Sequence, residues 1–107
     1  MDIQIACAEL KAKLDAGTPL LLIDCREPHE HTICALAGAR LIPMRQTPQA
    51  LEELKAETRE IVVHCHHGMR SLNVVNYLRA QGVATARSLT GGIDQWSVEI
   101  DPSVPRY

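Results

Sequence analysis

The chain has 107 residues, a length that suits one domain with a sizeable core. It contains no Phe and only three large aromatic side chains, Tyr77, Trp96 and Tyr107, so Leu, Ile, Val and Ala must carry the packing. Eleven Lys and Arg against thirteen Asp and Glu give a formal charge of -2 without a run of either sign, which argues against a nucleic-acid or anionic-membrane partner.

The chain opens with an expected short strand over residues 3–5, then a helix marked by Leu10 and Leu14 four apart. Residues 20–23, Leu-Leu-Leu-Ile, form a continuous apolar run bounded by turn residues and charge, as expected of a strand buried on both faces of a parallel sheet. A further short strand is expected over 40–42, and a helix around Leu51 and Leu54. Ile61-Val62-Val63 reads as a second buried strand. Val74, Val75 and Leu78 share one face of a helix that starts at about Ser71 and stops at Gly82. A last strand is expected over 85–89. Strands alternate with helices, and no repeat or linker interrupts them, so the expected fold class is α/β, one domain over residues 1–107 with right-handed crossovers.

The longest apolar stretch, residues 19–23, is far short of the roughly 20 residues of a membrane helix. The start Met1-Asp2-Ile3-Gln4 lacks the basic and apolar segments of a secretory leader. No membrane partner and a cytoplasmic location are expected. The four cysteines, Cys7, Cys25, Cys34 and Cys65, do not follow the close spacings of a disulfide scaffold and are expected to be reduced.

Ligands of open parallel sheets gather at the carboxyl ends of strands, which points to residues 24–27 and to the segment after Val63. That second segment is His64-Cys65-His66-His67-Gly68-Met69-Arg70-Ser71. A cysteine between a strand end and a helix start faces backbone N–H groups and the positive end of the helix dipole. Arg70 adds a permanent charge, and cysteines in such places have pKa values lowered to roughly 3.5–7.5. Gly68 frees the backbone of the loop. The plain alternative for Cys65 is an inert core cysteine. For His64, His66 and His67 the alternatives are metal binding, which adjacent side chains serve badly, and simple exposure in a loop, which is the expectation adopted. Cys7, Cys25 and Cys34 are read as inert packing or surface thiols. Asp24 and Arg26 are either catalytic or a structural ion pair.

Several segments, in order, resemble the rhodanese (thiosulfate sulfurtransferase) family. Leu21-Leu22-Ile23-Asp24-Cys25-Arg26-Glu27-Pro28-His29-Glu30 is similar to its strand ending in Asp-x-Arg, followed by a short helical turn. Gly38-Ala39-Arg40-Leu41-Ile42-Pro43 resembles its Gly-Ala-x-x-Ile-Pro segment, and residues 65–70 its active-site loop. Residues 89–96, with Gly91, Gly92 and Trp96, are similar to its Gly-Gly-x-x-x-Trp signature. The closing Asp101-Pro102-Ser103-Val104-Pro105-Arg106-Tyr107 resembles tails of rhodanese domains fused to molybdopterin-synthase sulfurylases.

The resemblance implies a five-stranded parallel β-sheet flanked by α-helices. It implies Cys65 as the nucleophile that carries sulfur as a persulfide, with His66, His67, Gly68, Met69 and Arg70 forming the anion-binding loop. Amides of residues 66–69 would face the sulfur. Asp24, Arg26 and Ser71 would support the site, and Trp96 would pack. No metal and no cofactor are implied. The donor would be a small sulfur anion such as thiosulfate or a persulfide, and the acceptor cyanide, a thiol or a protein. Two departures stand out: Ala35-Leu36-Ala37 replaces the family's frequent His-Ile-Pro, and His66 stands where Arg is frequent, which weakens and makes pH-dependent the attraction for a dianion. Two rival readings are a catalytically silent rhodanese-like binding module and a cysteine phosphatase of similar fold, whose loop has five residues between Cys and Arg rather than the four seen here.

Overall fold

The computed structural model describes residues 2–107. In chain order the elements are β1 (Gln4–Ile5), α1 (Cys7–Asp15), β2 (Leu20–Asp24), α2 (Pro28–Ile33), β3 (Arg40–Leu41), a 3-10 turn (Met44–Gln46), α3 (Thr47–Ala56), β4 (Glu60–His64), α4 (Met69–Ala80), β5 (Ala86–Leu89) and α5 (Gly92–Glu99). The five strands form one parallel sheet in the order β1-β5-β4-β2-β3. This is the expected α/β class, with helices on both faces, because parallel strands require crossovers that cover the sheet.

Alternation along the strands divides the core. Leu21 and Ile23 of β2 and Ile61 and Val63 of β4 pack against Leu54 of α3 and Val74, Val75 and Leu78 of α4. Leu22 and Val62 point the other way, with Ile5, Leu10, Leu89, Ile93 and Trp96. The continuous apolar runs read from the sequence are therefore two interleaved sets, one for each face. Trp96 sits in this second cluster, 7% exposed, as a packing residue.

The boundaries differ from the sequence expectation where capping decides them. The helix after the cysteine starts at Met69, not Ser71, because Gly68 turns the chain with φ 102 immediately before it. The strand expected over 40–42 is Arg40–Leu41, although the Ile42 N–H still donates to the Asp24 carbonyl at 2.9 Å. Helix α5 was not expected from spacing.

Register fixes the site. β2 lies beside β4 with Leu20 opposite Glu60 and Asp24 opposite His64, so both strands end level. The Cys25 N–H then donates to the His64 carbonyl at 3.0 Å, which carries the pairing one step beyond the strands.

Candidate active site

Cys65 follows directly on β4, its side chain 1% exposed. Its sulfur accepts the N–H of Gly68 at 3.1 Å and that of Ser71 at 3.4 Å. The Ser71 hydroxyl lies 3.5 Å from the same sulfur, 3.3 Å from the Gly68 carbonyl and 2.7 Å from Ser88 Oγ, so a buried serine pair fixes its position. Of the run of amides from 66 to 69 that the resemblance implies, that of Gly68 bonds the sulfur here, and that of Ser71 joins it. The earlier start of α4 explains it: its first turn already wraps the sulfur.

The neighbouring Cys25 thiol is the largest influence on the ionisation of Cys65. Burial opposes ionisation, but Cys25, the Ser71 hydroxyl and the two amides prevail and hold the Cys65 pKa down to about 4. Cys65 is a thiolate at neutral pH. Cys25 is pushed well above the ordinary thiol range, first by the Cys65 sulfur beside it and then by burial.

A double-glycine turn supports the loop from behind. Ile93 and Asp94, in the first turn of α5, donate their N–H groups to the carbonyls of Cys65 at 2.9 Å and His66 at 3.1 Å. A Cβ on Gly92 would lie 2.5 Å from the His66 oxygen and 2.6 Å from the Cys65 oxygen, at φ +62. Only glycine lets the helix start so close to the loop.

Charges around the site are paired. Asp24 and Arg26 are fully buried, with Arg26 Nε on Asp24 Oδ1 at 2.9 Å and Nη2 on Oδ2 at 2.7 Å. Burial pulls against the Asp24 charge, but the Arg26 bonds and nearby His64 hold its pKa to about 2. Of the two meanings left open for this pair, the geometry shows the ion pair. Arg26 Nη2 also donates to the Cys34 carbonyl at 2.6 Å, tying down the end of α2.

Arg70 makes a two-pronged bond with Glu30, at 2.7 and 2.9 Å, and still feels the Cys65 charge. That bond keeps the Glu30 carboxyl far below the usual range. Tyr107 closes the cluster: its hydroxyl accepts from Arg26 Nη1 at 2.9 Å and donates to Glu30 at 2.6 Å. Burial and the Glu30 bond push the tyrosine up to about 12.

The histidines separate. His64 is fully buried, contrary to the expectation of an exposed loop residue, because it is the last residue of β4; burial lowers its pKa to about 4 and keeps it neutral. The His66 ring is stacked between those of His67 and Tyr107, 3.9 Å from each, and burial lowers its pKa. His67 is exposed, and the Met69 side chain, 73% exposed, does not approach the sulfur. Donor atoms of His66, His67 and Asp94 lie within 4.8 Å of one another. Stacked rings, however, aim their lone pairs side by side rather than at a common ion, and Arg106 already grips both Asp94 oxygens.

Sequence reasoning missed Glu30, Ser88, Tyr107 and the approach of Cys25. Glu30 had a signal, three residues after Glu27 at a helix start with Pro28. The others are brought in by strand register and by the fold of the tail, which leave no local mark.

The rhodanese-like domain description matches residues 6–99. The chain is 38% identical over 99 residues to "Putative sulfurtransferase YtwF" of Bacillus subtilis, covering 92% of this chain and 94% of that protein. It is 34% identical over 110 residues to "Adenylyltransferase and sulfurtransferase MOCS3-2" of Zea mays, covering 97% of this chain but 23% of that one. It thus spans about a quarter of the length of the MOCS3 proteins it matches. Among solved structures it is similar to a rhodanese-like domain protein from Staphylococcus aureus, with a TM-score of 0.82, 30% identity and 99% of each chain covered.

Proposed function

Because the chain belongs to the rhodanese-like domain family, we propose that it is a cytoplasmic sulfurtransferase that moves a sulfane sulfur from a donor such as thiosulfate to a thiophilic acceptor through a persulfide on Cys65. Relatives that carry the sulfurtransferase name support the reaction class. The observation that carries the reading is the Cys65 sulfur, held as an anion by the N–H groups of Gly68 and Ser71.

In the first half-reaction the Cys65 thiolate attacks the outer sulfur of the donor, and the donor's S–S bond breaks. Sulfite leaves with the electron pair. The outer sulfur is now a terminal persulfide anion, which the mouth of the same loop receives. In the second half-reaction a thiolate, a protein thiol or cyanide attacks that terminal sulfur, and Cys65 leaves as the thiolate it was. Neither step consumes a proton, so no general base is required, and neutral His64 and His66 need not act as one.

The four residues between Cys65 and Arg70 and the inward amides suit one sulfur atom rather than a phosphoryl group, which disfavours the phosphatase reading. Intact mass spectrometry after incubation with thiosulfate tests the proposal. Wild-type protein should gain one sulfur atom, and Cys65→Ala none. No gain with thiosulfate or with a polysulfide donor would leave the silent binding module as the better reading.

A further inference from the structure

Cys25 lies beside the reactive sulfur, and no bond to its own sulfur forms or breaks in the cycle above. The level ends of β2 and β4, extended by the bond from the Cys25 N–H to the His64 carbonyl, set residue 25 next to residue 65. Strand alternation turns both side chains to the same face, into one cluster with Ile23, Val63 and Val74, where each is 1% exposed. Neighbouring strands are about 4.8 Å apart, inside the Cα separation of roughly 4.4–6.8 Å that a disulfide spans. All four cysteines are free thiols in this structure. Cys7 faces the Thr90 carbonyl and Cys34 the Arg26 guanidinium, so Cys25 is the thiol placed against Cys65.

In the resting site Cys25 keeps its proton beside the Cys65 anion and is a poor nucleophile. Loading changes its partner. In a persulfide the negative charge moves to the outer sulfur, and the inner sulfur becomes a neutral electrophile. That inner sulfur is buried, so an external thiol meets the outer atom first, whereas Cys25 meets the inner one from within the core.

Resting on the persulfide reading above, we propose that Cys25 is a resolving cysteine: its sulfur attacks the inner sulfur of the Cys65 persulfide, forms a Cys25–Cys65 disulfide and expels the outer sulfur as hydrosulfide. The bond that forms joins the two cysteine sulfurs, and the bond that breaks is the persulfide S–S bond. Its electron pair leaves on the outer sulfur, which also takes the Cys25 proton. The cysteine pair loses two electrons and the sulfane sulfur gains them, so no outside oxidant enters. A dithiol reductant then returns both cysteines to thiols. The chain thereby has a second outlet, sulfide release, for sulfur that no acceptor collects.

The test loads the reduced 107-residue chain with thiosulfate or a polysulfide, removes small molecules, and follows sulfide and intact mass without added thiol. In the wild type, sulfide should appear in step with the loss of the extra sulfur, leaving a chain two hydrogens lighter whose peptides containing Cys25 and Cys65 are cross-linked. Cys25→Ser, which keeps a hydroxyl donor beside Cys65, should still reach one added sulfur even if it loads at a different rate, which also shows that it folds, and should lose the sulfide release. Two results overturn the proposal: a wild-type chain that sheds its sulfur without the cross-link, or a Cys25→Ser chain that releases sulfide at the wild-type rate. A chain that gains no sulfur from thiosulfate or from a polysulfide donor overturns the persulfide reading, and the resolving role with it.

Discussion

Replacing Cys25 with Ala removes the donor with the largest effect on the Cys65 thiolate while leaving its amide cradle intact. Hydrogen bonds to charged groups contribute roughly 1.5–3 kcal/mol. A thiol is a weak donor, so the low end applies. At about 1.4 kcal/mol per pKa unit the substitution should raise the Cys65 pKa by about one unit, from about 4 to about 5. The thiolate's ultraviolet absorbance followed against pH, with a Cys65→Ala chain as the blank, reads this midpoint. Alkylation rates would be a poorer measure, because a higher pKa reduces the thiolate fraction but makes the thiolate a better nucleophile. Cys7, pushed up to about 11 by burial, does not titrate in the window. An unmoved midpoint, or one that falls, refutes the assignment of Cys25 as the donor. The sign also fixes a stability effect: the depressed pKa contributes stability that is fully present above the ordinary value of 9.0 and is lost as pH falls through about 4. The variant should lose it at higher pH.

Asp24→Asn leaves the Arg26 guanidinium fully buried without a counter-charge and should cost about 3–5 kcal/mol in denaturant unfolding; a cost below about 1 kcal/mol would mean that Tyr107 and the Cys34 carbonyl alone suffice. In the wild type the same pair contributes stability present above pH 3.8 and lost as pH falls through about 2. Gly92→Ala drives a Cβ into the carbonyls of Cys65 and His66 at a left-handed φ. It should destabilise by roughly 1–3 kcal/mol and slow persulfide formation. Wild-type loading and an unchanged unfolding midpoint would show that the loop does not depend on this close approach.

How much of this fold shows in the sequence depends on the length and burial of each element. β2 and β4 are buried on both faces, so they appear as unbroken apolar runs, and α4 is long enough at 12 residues to display a period. Helix α2 has six residues and is held by Pro28 at its start and by Glu30, whose Oε1 accepts the Glu27 N–H at 3.1 Å. That is chemistry rather than periodicity. Helix α5 buries Gly92, Ile93, Trp96 and Ser97, a face with too few apolar residues to read as amphipathic. His64 was misjudged for a related reason: a histidine among histidines looks like loop, yet strand register takes it inward opposite Asp24.

The site divides along the same line. Cys65, Gly68 and Ser71 are close in sequence, and their convergence follows from a strand end, a turn and a helix start. The electrostatics follow from local sequence only in part, because Arg26 meets Asp24 two residues before it while Arg70 is answered by a distant anion. Arg70 reads as a positive group aimed at a sulfur anion, but Glu30, forty residues away, takes both of its prongs. Arg26 is matched by Asp24 nearby in sequence. His64 and His66 have lowered pKa values, so they add little charge at neutral pH. Because Arg26 and Arg70 are each paired with a carboxylate, their charge beside the sulfur is offset, and the N–H groups of Gly68 and Ser71 are its close donors. Under the sulfur-transfer reading proposed above, a dianionic donor gains less from such a site than a donor with one charge. The position that decides this is His66, where an arginine would restore the missing charge.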